Sequence, residues 1–210
     1  MKKTLCFLLV CVAGSIAQAS TGFFVTAAGG QSQFRTKYTT RYTDATRSAV
    51  PNSEVNEHSN YWAVGSGVSF TDFLRVTAGY EDWGKVTGSS TTPTGDIYPL
   101  TLGAKGFYAS FAPMIHVIPF LSIDPEFGVL YTDIHVRTNF QNDGDPNIQS
   151  GYSSRFRYGL GLSIHPPGPF VIGIKYLQID LPEAKVRAGS SFFTDKIRPR
   201  TIVLTAQYSF

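Results

Sequence analysis

The sequence predicts an all-β protein: an eight-stranded antiparallel up-and-down β-barrel that crosses a membrane. Three observations predict it. Apolar and polar residues alternate with a period of two through eight segments, the pattern of strands with one apolar face. The chain is 14% aromatic but only 16% charged, against about 25% charged in a typical soluble domain. The connections between segments alternate between short turns and long polar stretches, as the two ends of a membrane barrel do.

The chain begins with a segment read as an address. Lys2 and Lys3 precede an apolar stretch from Thr4 to Ile16, and Ala17-Gln18-Ala19 follows as an A-x-A cleavage site. These are the three regions of a secretory signal peptide. The apolar stretch is too short for a membrane-spanning helix, which needs about 20 residues. Residues 1–19 are therefore expected to be removed, leaving 20–210 as one barrel domain. Both cysteines of the chain, Cys6 and Cys11, lie in that segment. The remainder must be stable without disulfides. Loss of Lys2 and Lys3 leaves 16 basic residues against 15 acidic ones, from 18 − 2 = 16. So balanced a chain offers no basic field for nucleic acid.

The strands follow in order. Residues 23–34 place Phe23, Val25, Ala27 and Gly29 on one face. Residues 61–70 set Trp62, Val64, Val68 and Phe70 against Tyr61, Ala63, Gly65 and Gly67. Residues 73–86 set Leu74, Val76, Ala78 and Tyr80 against Arg75, Thr77, Gly79 and Glu81. Residues 104–117 set Phe107, Ala109, Phe111, Ile115 and Val117 against Lys105, Tyr108, Ser110 and His116. Residues 120–136 set Leu121, Ile123, Phe127, Val129 and Tyr131 against Ser122, Asp124, Glu126 and Gly128. Residues 154–164 set Phe156, Tyr158, Leu160, Leu162 and Ile164 against Arg155, Arg157, Gly159, Gly161 and Ser163. Residues 170–178 set Ile172, Ile174 and Tyr176 against Gly173 and Lys175. Residues 201–210 set Ile202, Leu204, Ala206, Tyr208 and Phe210 against Thr201, Val203, Thr205, Gln207 and Ser209. Most of these segments reach or exceed the 9–11 residues of a tilted bilayer crossing.

Two features choose a membrane barrel over a soluble one. Trp62, Tyr80, Tyr131, Phe156 and Tyr176 lie near strand ends on the apolar face, where interfacial girdles form. The polar face is not a solvated surface of Lys and Glu. It mixes small residues with single charges of both signs. Arg75, Lys105, Arg155, Arg157 and Lys175 are expected to meet Glu81, Asp124 and Glu126, since buried charges must be paired. Eight strands leave an interior that side chains can fill, so this ionic cluster is expected to plug the lumen.

The short connections are 71–72, 118–119 and 166–169, rich in Pro and Asp. The long ones are 35–60, 87–103, 137–153 and 181–198. With an even strand count both termini lie on the short-turn side.

The whole segment after residue 19 resembles the OmpA-like and opacity-type eight-stranded outer-membrane barrels of Gram-negative bacteria. The residues that carry the resemblance are Gly79-Tyr80-Glu81-Asp82-Trp83-Gly84-Lys85, residues 121–131, and the ending Gln207-Tyr208-Ser209-Phe210. Tyr208 and Phe210 resemble the signal read by the barrel-assembly machinery. The resemblance implies an outer-membrane location, periplasmic termini, extracellular loops and contact with outer-membrane lipid and lipopolysaccharide. It implies a non-enzymatic role: four surface loops anchored for envelope integrity, adhesion or a host or surface ligand. The chain stops at Phe210, so the peptidoglycan-binding domain of larger members is not expected. The first loop, with Arg35, Lys37, Arg41, Asp44, Arg47, Glu54 and Glu57, is the first place to seek a partner.

Two other functions compete. A small pore or hydrophobic-compound channel would need an open lumen. A lipid A hydrolase would need a His near a hydroxyl and a carboxylate. Of His58, His116, His135 and His165, His135 is the best candidate, because Asp133 two residues away would share its face near an outer strand end. No G-x-S-x-G element adjoins it, and two solvated residues are the expected reading. His116 is expected to be packed inside near a short turn, and His165 to be interfacial. His58 falls in the first loop. Asn142-Asp143-Gly144-Asp145 lacks the spacing of a calcium loop and reads as a turn. The glycine pairs Gly65/Gly67 and Gly159/Gly161 read as room for long inward side chains. No cofactor or metal is expected.

Overall fold

The computed structural model describes residues 21–42, 50–70, 73–91, 97–138, 147–181, 183–188, 191–196 and 198–210. The expected signal segment lies outside them, as do residues 142–145. The strands are β1 (Thr21–Tyr42), β2 (Val50–Phe70), β3 (Leu74–Thr91), β4 (Ile97–Pro113), β5 (Ile115–Ile118), β6 (Leu121–Thr138), β7 (Asn147–Ile164), β8 (Phe170–Ile179), β9 (Glu183–Ala188), β10 (Ser191–Lys196) and β11 (Arg200–Ser209).

All pairings are antiparallel, and β11 pairs with β1 to close the sheet. The eight staves are β1, β2, β3, β4, β6, β7, β8 and β11. β5 continues β4 past Met114, while β9 and β10 form a hairpin beyond β8 and β11. Cross-strand partners trace the circuit Phe23, Val68, Val76, Phe111, Phe127, Tyr158, Gln178, Arg200, Gln33. It returns to β1 ten residues above its start, from 33 − 23 = 10. That stagger on eight strands gives a strand tilt of about 40°, so each residue gains about 2.5 Å of height.

The outer face is apolar through the middle of the barrel. Phe23, Phe107, Phe111, Val129, Phe156, Leu160, Ile172 and Leu204 are all exposed. A soluble barrel would bury this set, so the surface is inside-out with respect to water. Trp62 and Phe70 face outward on β2, and their separation corresponds to about 20 Å of height. An apolar band about 25 Å tall is what a bilayer requires of such a barrel. At the upper edge Tyr80 packs edge-on against Phe107 at 5.3 Å and tilted against Trp62 at 5.7 Å. Tyr131 stacks on Tyr152 at 5.5 Å.

Two residues above that aromatic row, Asp82, Lys105 and Asp133 stand side by side in register. Lys105 is exposed on this outer row. The expectation that it joins the interior cluster is thus corrected. Its parity is that of Phe107, not of Tyr108, and it lies just above the aromatic edge, where a cation can face out.

The expected long loops are also corrected. β1 and β2 stay paired to Thr40–Val50, β3 and β4 to Thr91–Ile97, and β6 and β7 to Thr138–Asn147. The 22-residue β1 and 21-residue β2 are about twice the length a bilayer crossing needs. Above the band the barrel divides. The β2–β3 ladder ends at Trp62–Asp82, and the β7–β8 ladder ends at Arg157–Ile179. The protruding part is therefore two four-stranded walls, β9-β10-β1-β2 and β3-β4-β6-β7. A bulge between Asp82 and Lys85 marks one seam. Gly84 sits there at φ 77°, in the left-handed region.

Candidate functional site

The inward residues form a polar lower tier and an apolar upper tier. In the lower tier Asp124 accepts from Arg75 Nη2 at 2.7 Å and from Ser122 Oγ at 2.7 Å, and also from Ser163. Arg75 Nη1 donates to Gln207 at 2.8 Å. Higher up, Glu126 accepts from Lys175 at 2.8 Å, from Ser110 at 2.8 Å and from Arg157. Arg157 Nε reaches on to Glu81 at 3.0 Å. Glu81 also accepts from Tyr61 OH and Trp83 Nε1, each at 2.8 Å. The Arg157 guanidinium lies 4.5 Å over the Tyr108 ring.

Six of the eight expected ionic residues are therefore together: Arg75, Arg157, Lys175, Glu81, Asp124 and Glu126. Their formal charges cancel, three against three. Lys105 is outside. Arg155 has inward parity but sits above the cluster and donates to Ser153 at 3.0 Å. Sequence reasoning gave no role to Tyr61, Trp83 or Gln207. Parity already placed Tyr61 and Gln207 inside. Trp83 shares the parity of Glu81, and its inward direction follows from that.

Small residues make the space. A Cβ on Gly65 would stand 2.6 Å from Tyr108 OH, and one on Gly161 would stand 2.8 Å from Lys175 Cγ. Between the ion pairs remains a cavity of about 40 Å³, lined in part by Arg75, Thr77, Tyr108, Lys175 and Gln207. It has room for a few waters. Arg75 Nε is buried without a hydrogen-bond partner, and a water in that cavity would satisfy it.

Above the ions Phe34, Trp83, Leu130, Leu177 and Ile179 close the lumen, each at most 1% exposed. Val86, Leu102 and Ala104 continue this core upward. It reaches past the level of Lys105, into the part whose outside is polar. Within the band the barrel is polar inside and apolar outside; above it the order reverses, as in a soluble domain.

The histidines divide between the two ends. His135 Nδ1 lies 3.3 Å from Asp133, on the outer row. Among the described residues no hydroxyl is hydrogen-bonded to His135, so no triad is assembled there. His58 is exposed on β2. His116 is exposed at the short-turn mouth rather than packed inside, a further correction. β5, which carries it, is exposed along its whole length. His165 is half-buried beside it.

No family model matches the chain, and no curated protein matches it. Solved structures do. The outer membrane protein OprG from Pseudomonas aeruginosa aligns at a TM-score of 0.63 and 12% identity, covering 91% of this chain and 97% of that one. The fold is that of the outer-membrane β-barrels. The outer membrane protein AlkL, solved in lipid bilayers, aligns at 0.51 and 14% identity, covering 91% of this barrel and 92% of its own chain. The outer membrane protease OmpT from Escherichia coli aligns at 0.56 and 7% identity, covering 93% and 100%. At these identities the likeness is one of fold.

Proposed function

We propose that this chain is an integral outer-membrane protein with a sealed lumen, whose non-enzymatic role is to hold four hairpins above the membrane for surface interaction or envelope integrity. The observation that carries the reading is the charge-balanced interior beneath an apolar plug, inside a barrel whose outer face is apolar. A cavity of about 40 Å³ is too small for an organic solute, since ligand pockets run to several hundred Å³. That weighs against a hydrophobic-compound channel. The absence of a hydroxyl on His135 among the described residues weighs against a lipid A hydrolase.

In this reading residues 1–19 direct export, the termini are periplasmic and the hairpins are extracellular. The assembly machinery reads Tyr208 and Phe210. Phe210 is 78% exposed and packs edge-on with Tyr208 at 5.1 Å, at the lower edge of the band. Lipopolysaccharide meets the row at Lys105, and a surface ligand meets the hairpin tips. Membrane fractionation joined to gel migration with and without boiling tests the reading. The expected result is an outer-membrane fraction whose folded and unfolded forms migrate differently. A protein found only in the soluble fraction, with one mobility, would overturn it.

A further inference from the structure

We infer that the lower lumen holds a site for a small monovalent anion of the halide class, among Lys175, Thr205, Thr77 and Tyr108. The six interior charges cancel over the lumen as a whole but not around its cavity. Arg75, Arg157 and Lys175 line that cavity, and Glu126 is the one carboxylate among the lining residues. Asp124 and Glu81 hold the two guanidinium groups from outside the lining. The lining therefore carries a formal charge of 3 − 1 = +2.

The hydrogen bonds of the lining leave donors in surplus. The oxygens of Glu126 are engaged by Ser110, Arg157 and Lys175. Gln207 Oε1 accepts from Arg75 at 2.8 Å. Tyr61 OH donates to Glu81, and Thr26 Oγ1 to Ala206 O. The Lys175 ammonium carries three hydrogens and donates one of them to Glu126 at 2.8 Å. The hydroxyls of Thr77, Thr205 and Tyr108 also line the cavity and donate to no acceptor among the described residues. A water accepts about two hydrogens and has two of its own to place, where the carboxylate and amide oxygens are already engaged. A halide only accepts, has no preferred direction, and is held by each charged neighbour.

Size points the same way. A cavity of about 40 Å³ admits about three water-sized spheres. That is room for one halide ion and a water to serve Arg75 Nε; a tetrahedral oxyanion is too bulky. The apolar plug closes the cavity from above, so the ion enters from the short-turn end. The site belongs to the lumen and does not depend on what the hairpins bind.

The test is urea unfolding of the chain folded in non-ionic detergent micelles, in sodium chloride against sodium gluconate at equal concentration. Gluconate is too large for the cavity. A ligand that binds only the folded chain stabilises it in a saturable way, so chloride is expected to raise the unfolding midpoint to a plateau. Lys175→Gln is expected to abolish that rise. Thr205→Val and Tyr108→Phe each remove a hydroxyl and change little else. Each is expected to weaken the apparent chloride affinity about tenfold, as loss of a hydrogen bond to a charge does. Lys105→Gln, on the outer row, is expected to leave it unchanged. The shift in gel migration on boiling verifies that each variant is folded. Anomalous scattering from crystals grown in sodium bromide locates the ion, with one peak expected beside Lys175. Equal midpoints in the two salts, or density for water alone in the cavity, would overturn the site. So would a chloride effect that survives Lys175→Gln or both hydroxyl variants, or one lost with Lys105→Gln.

Discussion

Glu126 and Arg157 are each committed to two partners of opposite charge, so removing one charge strands others in a place water barely reaches. Glu126→Gln is expected to cost about 3–5 kcal/mol of unfolding free energy, as loss of one member of a buried pair does. Lys105→Gln, on the outer row, is expected to stay within about 0.5 kcal/mol. Urea unfolding of both variants in the same micelles checks the pair. Equal costs would place Lys105 in the cluster after all. Gly65 makes a finer test. Its missing Cβ gives room to the Tyr108 hydroxyl, and Ala78 O stands 2.8 Å from where that Cβ would be. Gly65→Ala is expected to cost about 1–3 kcal/mol by overpacking, measured in the same way.

At the scale of the element, sequence and structure agree inside the band and part company above it. Residues 202–210 and 154–164 alternate with only Val203 and Ser154 out of step, because lipid on one side and packed side chains on the other make opposite demands. Their facing is legible from parity alone. Above the aromatic edge both sides of a strand tolerate polar residues, so Arg35, Thr36 and Lys37 carry no period and read as loop. They nonetheless pair with Asn56, Val55 and Glu54. Parity also presumes an unbroken ladder. Beyond the bulge at Asp82–Lys85 the inward positions shift from Glu81 and Trp83 to Val86. The bulge is stitched by side chains. Ser59 Oγ lies 3.0 Å from both Lys85 N and Lys85 O, and Ser32 Oγ donates to Trp83 O at 2.5 Å. Gly84→Ala is expected to cost about 1–3 kcal/mol from backbone strain at positive φ. The loss should appear as lower urea resistance, with the barrel itself still formed.

At the scale of the whole molecule, a circuit of eight strands with a stagger of ten leaves an interior only side chains can occupy. The ionic tier and the apolar plug fill it in series. The ionic tier was legible because charges on an inward face need partners. The plug was not, because a rule of polar interiors holds only where the exterior is lipid. Phe34, Leu102 and Ile179 lie at or above that limit. With both tiers in place, planar-bilayer recordings are expected to show no stepwise current, and none after Glu126→Gln, since the plug is untouched.

The two tryptophans of the chain report on the two sides of the wall. Trp62 is 46% exposed on the outer face, and Trp83 is 0% exposed in the lumen. Fluorescence quenching in vesicles of brominated lipid, compared between the unaltered chain and Trp62→Phe, therefore tests the inside-out barrel and its plug together. The unaltered chain should lose the Trp62 emission to bromine. The Trp62→Phe chain, lit by Trp83 alone, should be insensitive to brominated lipid and to acrylamide. Quenching of Trp83 by either agent, or an unaltered chain that brominated lipid leaves bright, would contradict the account.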